Sequence, residues 1–172
     1  MPTEAEWEKA ARGTDGREYP WGNSYQAGYA NTDEKDANPE RASASRPTRV
    51  GSYPNGASPF GALDMAGNVW EWTLTEHSSG EATDLTNDRP RVTRGGSWVD
   101  GPDAARTSYR GGLVPVFRLN YIGFRVVVAA PVHGGDPARW WAELVPGNFV
   151  TSPSPNADAS GVPEPPDVVI GP

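Results

Sequence analysis

Apolar residues fall into a few short stretches separated by long polar, turn-rich ones. Near the start, Trp7, Ala10 and Ala11 stand at i, i+3 and i+4, a spacing that predicts a short amphipathic helix. Thr3-Glu4-Ala5-Glu6 has the capping-box form at its beginning, and Gly13 is placed to end it in a left-handed cap. Alternation from Val69 to Leu74 predicts a strand. Arg91 to Trp98 reads as a second strand, broken by Gly95-Gly96 at a bulge or close backbone approach. Ala104 to Arg110 reads equally as a short helix or a strand. Ile122 to Val128 is apolar on both faces and is expected to lie at the centre of the fold.

Between these elements the chain is loop. Residues 13 to 62 are punctuated by Thr14-Asp15-Gly16, Pro20-Trp21-Gly22-Asn23 and Pro54-Asn55-Gly56. Residues 33 to 49 form a charged stretch with no strong periodicity, and 75 to 90 a polar loop. Three parts are expected: a domain over 1–130, a short docked segment over 131–150 around Trp140-Trp141 and Phe149, and a disordered Pro-rich tail over 151–172. A domain that opens on a capped, core-facing helix usually has strands ahead of it. We therefore expect the N-terminal strands of this fold to be missing from the chain.

Composition narrows the class. Twenty Gly and 18 Pro in 172 residues are too many for a helical bundle, and seven Trp with six Tyr are too many for a disordered chain. A net charge of −7 offers no footprint for nucleic acid or an anionic membrane surface. No apolar run approaches the roughly 20 residues that span a bilayer, and no basic-then-apolar leader pattern opens the chain. The compartment stays open. There is no Cys, hence no disulfide, thiolate metal site or cysteine nucleophile.

Five stretches occur in a specific order: Pro2-Thr3-Glu4-Ala5-Glu6-Trp7-Glu8, Tyr19-Pro20-Trp21-Gly22-Asn23, Asp64-Met65-Ala66-Gly67-Asn68-Val69-Trp70-Glu71-Trp72, Arg94-Gly95-Gly96-Ser97-Trp98 and Ile122-Gly123-Phe124-Arg125. Over residues 2 to 128 this order resembles the formylglycine-generating enzyme, or sulfatase-modifying factor, domain family. The resemblance implies an α+β, irregular, loop-rich, C-type-lectin-like fold.

The founding enzymes of that family oxidise a substrate cysteine with copper held by two cysteines shortly after the Gly-Gly-Ser-aromatic motif. Here the stretch reads Trp98-Val99-Asp100-Gly101-Pro102-Asp103-Ala104-Ala105-Arg106. Soft Cu(I) wants thiolate, so no copper is expected. The resemblance also implies structural Ca²⁺, a hard ion that takes oxygen ligands. Carried over, it puts side-chain ligands on Asp64 and Glu71 and carbonyl ligands on Gly67 and Val69. A second site would begin with Asn31 and the Thr32 carbonyl, continuing around Asp33 and Asp36. The competing reading is that Asp64 caps a turn and Glu71 pairs with an arginine. Arg94 and Arg125 are read as structural, their forks bonding loop carbonyls; Arg106, Arg110 and Arg118 could equally line a site.

Residues 97 to 125 also resemble the variable proteins of diversity-generating retroelements, which use this scaffold to bind ligands. The candidate binding residues are Val99, Asp100, Gly101, Thr107, Tyr109, Leu113, Val114, Val116, Phe117, Leu119, Asn120 and Tyr121. Exposed apolar and aromatic side chains here would be binding anchors; the alternative is that they are core. Two functions follow. The first is a non-catalytic module binding a protein or small-molecule ligand through residues 99 to 121. The second is an oxidoreductase of the family that works without the cysteine pair, with iron ligands from a partner domain.

Overall fold

The computed structural model describes residues 1–34, 46–82 and 86–128. A compact unit runs from Met1 to Val127. The segments expected over 131–150 and 151–172, and the middle of the 33–49 loop, lie outside the described residues.

The helix forms where the pattern places it. α1 spans Glu4–Arg12. Thr3 Oγ1 accepts the Glu6 amide at 3.3 Å and the Glu6 carboxylate accepts the Thr3 amide at 2.7 Å, so both halves of the capping box are present. Gly13 ends the helix at φ 69°, but its ψ of −140° is not the αL cap expected; its amide still bonds the Lys9 carbonyl. Trp7 and Ala11 bury their side chains against Met65.

Four short strands make one sheet: β1 (Trp70–Glu76), β2 (Arg91–Arg94), β3 (Gly111–Leu113) and β4 (Ile122–Phe124), in the spatial order β3-β2-β1-β4. β1–β2 is antiparallel, with Glu71 opposite Arg94 and Trp72 opposite Thr93. β2–β3 is antiparallel, with Arg91 opposite Leu113. β1–β4 is parallel, with Trp70 opposite Ile122. The 91–98 segment stops being a strand at Gly95 and Gly96, both at positive φ. Ala104 to Arg110 is neither helix nor strand throughout: a 3₁₀ turn covers Pro102–Ala105 and the rest is loop.

The position expected for β4 is overturned. It is three residues long and sits at the sheet edge, and Phe124 is 66 % and Val126 75 % exposed. An apolar run carries no information about which neighbours exist. Here only β1 pairs with it among the described residues.

α1 covers the sheet face that carries Glu71, Thr73 and Thr75. The Trp7 indole N–H donates to Glu71 at 2.6 Å and the Glu4 amide to Thr75 Oγ1 at 2.9 Å. By alternation Trp70, Trp72 and Leu74 face the other way.

Much of what is buried is polar. Arg94 has no exposed side-chain surface. Its guanidinium donates to the carbonyls of Thr107, Ser108 and Tyr109 at 2.6 to 2.9 Å and to Glu8 at 2.7 Å. It also lies over the Trp7 ring at 5.2 Å. Burial pulls this guanidinium below the ordinary arginine value, opposed by Glu8 and Glu4. We predict that Arg94→Met costs about 3–5 kcal/mol, since it leaves three loop carbonyls without their donor and takes from Glu8 one of its two arginine partners; urea unfolding followed by tryptophan fluorescence checks this. Thr3→Ala should cost about 1 kcal/mol near neutral pH. Bonding to Thr3 lowers the Glu6 pKa, so its contribution is complete above the unfolded carboxylate value and fades as pH falls through the folded one. The wild-type advantage over Thr3→Ala in melting temperature should accordingly narrow on acidification below about pH 4.

Candidate functional site

The Asp64–Glu71 motif folds as a tight wrap. Asp64 at φ 54°, Gly67 at φ 71° and Asn68 at φ 66° all occupy left-handed backbone conformations. Gly67 is required twice over, because a Cβ there would lie 2.4 Å from the Asn31 carbonyl oxygen. Two side chains hold the strained residues. Asp64 accepts the Gly51 amide at 2.7 Å, and Asn68 Oδ1 accepts the Thr48 amide at 2.8 Å.

Glu71 does not fit the calcium expectation. Its carboxylate is held in bidentate fashion by Arg125, Nε at 2.6 Å and a terminal nitrogen at 2.7 Å, and also accepts the Trp7 indole. The same terminal nitrogen reaches the carbonyls of Leu63 and Asp64 at 3.1 and 3.3 Å. A guanidinium thus already supplies the positive charge at Glu71, and a second cation beside it would be repelled. The Asp64 carboxylate caps a turn, Gly67 donates its amide to the Gly95 carbonyl, and Val69 leads into β1. Among the described residues no three His, Asp or Glu side chains converge on one point.

Asn31 behaves differently. It is 2 % exposed and its Nδ2 donates to the Arg46 carbonyl and to Asn68 Oδ1. Its Oδ1 is buried and accepts no hydrogen bond from the described residues. An orphaned buried amide oxygen is the kind of ligand a hard cation takes. Thr32 is also 2 % exposed, and the Asp33 amide bonds the Asp100 carbonyl at 2.8 Å. The donor chemistry at Asn31 and Thr32 therefore fits Ca²⁺. Asp36 lies outside the described residues.

The stretch that replaces the cysteine pair is used structurally. The Asp100 carboxylate accepts the Ser97 amide at 3.1 Å, the Ser97 hydroxyl, and the Trp70 indole N–H at 2.9 Å. Ala105 has no exposed surface.

The candidate binding residues divide. Val99 (42 %), Tyr109 (46 %), Val116 (67 %) and Phe117 (48 %) are exposed, as are Gly101 and Asn120. Asp100, Leu113, Val114, Leu119 and Tyr121 are half-buried. Thr107 is a correction: it has no exposed surface, and its hydroxyl donates to the Arg17 carbonyl at 2.7 Å while its amide bonds the Glu18 carbonyl. It pins a loop and belongs to no surface.

Topology explains why the others come together. β3 and β4 both run parallel to β1, with Leu113 level with Arg91 and Glu76, and Ile122 level with Trp70. The Val114–Tyr121 connection must therefore travel back along the sheet from one end to the other. It does so through turns closed by Phe117 N–H to Val114 O and Ile122 N–H to Leu119 O, which leave Val116, Phe117 and Arg118 outward. Phe124 and Val126 are exposed as well, which their place in an unbroken apolar run hid.

The chain matches the sulfatase-modifying factor enzyme 1-like domain over residues 1–130. It is 35 % identical over 145 residues to a hercynine oxygenase of Mycolicibacterium smegmatis, covering 73 % of this chain and 32 % of that protein. It is 35 % identical over 140 residues to the inactive C-alpha-formylglycine-generating enzyme 2 of Bos taurus, covering 76 % of this chain and 44 % of that one. Among solved structures, variable protein 1 of Treponema denticola superposes with a TM-score of 0.59 at 27 % identity, covering 72 % of this chain and 45 % of that one. The chain spans less than half the length of each.

Arg125→Met should destabilise the fold by about 3 kcal/mol by leaving the buried Glu71 charge with only an indole partner, and adding Glu71→Gln should restore part of the loss. A double-mutant cycle in urea measures both.

Proposed function

The chain belongs to the sulfatase-modifying factor family, and within it we propose that it is a non-catalytic binding module. Its ligand surface is formed by the exposed part of residues 99–121. The observation that carries this reading is the absence of any cysteine from a chain that keeps the family's ordered motifs. Within the stretch where the resemblance places the founding enzymes' thiolates, this chain has a carboxylate bonded to Ser97 and Trp70 and a buried alanine. Thiolate copper chemistry then has no ligands. Similarity to a mammalian relative named inactive, and to a variable protein, supports the same direction.

A second reading comes from the hercynine oxygenase similarity: the chain as one part of a larger oxygenase whose iron ligands lie outside the described residues. Fe(II)-dependent oxygen uptake that appears only when the chain is combined with a domain supplying the iron ligands would support it.

The same scaffold carries a structural calcium proposal, restricted to Asn31 and Thr32 by the fit of the buried Asn31 oxygen. The ion would tie together the 31–34 and 67–69 segments, which already bond through Asn68 N–H to Asn31 O at 2.8 Å. It would act only on stability.

Two outcomes are expected. Incubated with Cu(I) and a cysteine peptide of the sulfatase type, the protein should form no aldehyde by mass spectrometry, and formation above the buffer rate would refute the binding reading. Chelator should lower the melting temperature by several degrees, and Asn31→Leu should abolish that shift; a chelator-insensitive wild type would refute the calcium site.

A further inference from the structure

Resting on the binding reading above, we propose that Asp100 and Tyr109 receive a lysine side chain of a partner protein. The first observation is an unequal use of the Asp100 carboxylate. The Ser97 amide, the Ser97 hydroxyl and the Trp70 indole N–H all donate to Oδ2. Oδ1 accepts no hydrogen bond from the described residues and is not sealed from solvent, Asp100 being half-buried. One oxygen thus holds the turn, and the other is open to a ligand.

Trp70 brings an aromatic ring to the same place. It lies on the sheet face turned away from α1. Its indole N–H bonds Asp100 at 2.9 Å, and its ring lies 5.9 Å from that of Tyr109. Gly111 allows this packing, since a Cβ there would stand 3.2 Å from the Trp70 ring. Trp70 is nearly buried, whereas Tyr109 is exposed. An open carboxylate oxygen and an exposed ring, both anchored on one indole, suit a cation.

The nearby cationic side chains are spent elsewhere. Arg110, next to Tyr109, is held by both oxygens of Glu4 at 2.6 and 2.8 Å, and Arg106 pairs with Glu18 and Asp103. A chain of net charge −7 draws cations rather than anions.

The number of open oxygens selects the kind of cation. A guanidinium gains most from two parallel bonds to two acceptor oxygens. With Oδ2 already taking three donors, Asp100 has one oxygen to offer. An ammonium is a point charge that needs only one, and the aliphatic stem of lysine can lie along the Tyr109 ring.

The test titrates the full chain against a short labelled peptide with one lysine among valines and serines. Counterparts carry arginine or norleucine in place of the lysine, and fluorescence anisotropy reads binding. The lysine peptide should bind, the arginine peptide several-fold more weakly and the norleucine peptide about tenfold or more weakly. Added salt should weaken the lysine complex. In Asp100→Asn the amide oxygen can still accept the three internal donors, while an NH2 group replaces the open oxygen. This variant should stay folded by its melting temperature and lose about tenfold in binding the lysine peptide. Tyr109→Ala removes an exposed side chain and should lose several-fold, which carries the test if asparagine does not hold the turn. Glu81→Gln changes an exposed carboxylate elsewhere and should lose nothing.

Three results would each overturn the proposal: no binding of the lysine peptide, equal binding of the arginine or norleucine peptide, or no more loss in Asp100→Asn and Tyr109→Ala than in Glu81→Gln. Butylamine displacing the peptide at equal concentration would overturn it too, by making the ligand a small amine. Those failures differ from failure of the binding-module reading, which shows instead as aldehyde formed on a cysteine peptide.

Discussion

The structure depends on one buried cation. Arg94 sits on β2 with no solvent contact, and its guanidinium gathers three consecutive carbonyls from the 107–109 loop and a carboxylate from α1. The sheet is too short to organise these parts by ladder bonds alone: two of its strands are three residues long. A planar, permanently charged group with five donors can meet several loop carbonyls at once, which no apolar side chain of similar size can do. The apolar core is correspondingly modest and split into two clusters, one around Trp7, Ala11 and Met65, the other around Tyr19, Ala30, Ala66 and Ala105.

Arg125 repeats the device on the same face of the sheet. It clamps Glu71 and reaches the Leu63 and Asp64 carbonyls, so the residue that follows β4 is tied to the wrap that precedes β1. Trp7 joins the two systems, its indole N–H on Glu71 and its ring beneath Arg94. The helix, the Asp64–Glu71 wrap, β2 and the end of β4 are thus coupled through two guanidinium groups and one indole. Buried charges of this kind are costly to leave unpaired, so the network specifies a single arrangement of loops.

That internal economy of charge shapes the outer surface. Carboxylates at Glu4, Glu8, Glu18, Asp103 and Glu71 are consumed by arginines from β2 and from the stretch following it. What remains outward on the Val114–Tyr121 connection is apolar, with one unengaged arginine.

Much of this was legible from residues alone. The capping box at Thr3 and Glu6, the strand after Val69 and the break at Gly95-Gly96 are local signals, set by nearest-neighbour sterics and hydrogen bonding, and they appear where the pattern puts them. The ordered motifs carried the family, and the lack of cysteine is read directly from the sequence. Three things could be decided only in three dimensions. Glu71 has the chemistry of a calcium ligand and of an ion-pair partner, and only the approach of Arg125 across 54 positions selects the second. Thr107 has the composition of a surface residue, yet the fold closes over it. The apolar run at 122–128 predicts a strand but not its neighbours; burial is a property of what packs alongside, and the topology places β4 at an edge. Local chemistry fixes which conformations a segment can adopt, whereas charge pairing and burial depend on distances that exist only once the chain has closed on itself.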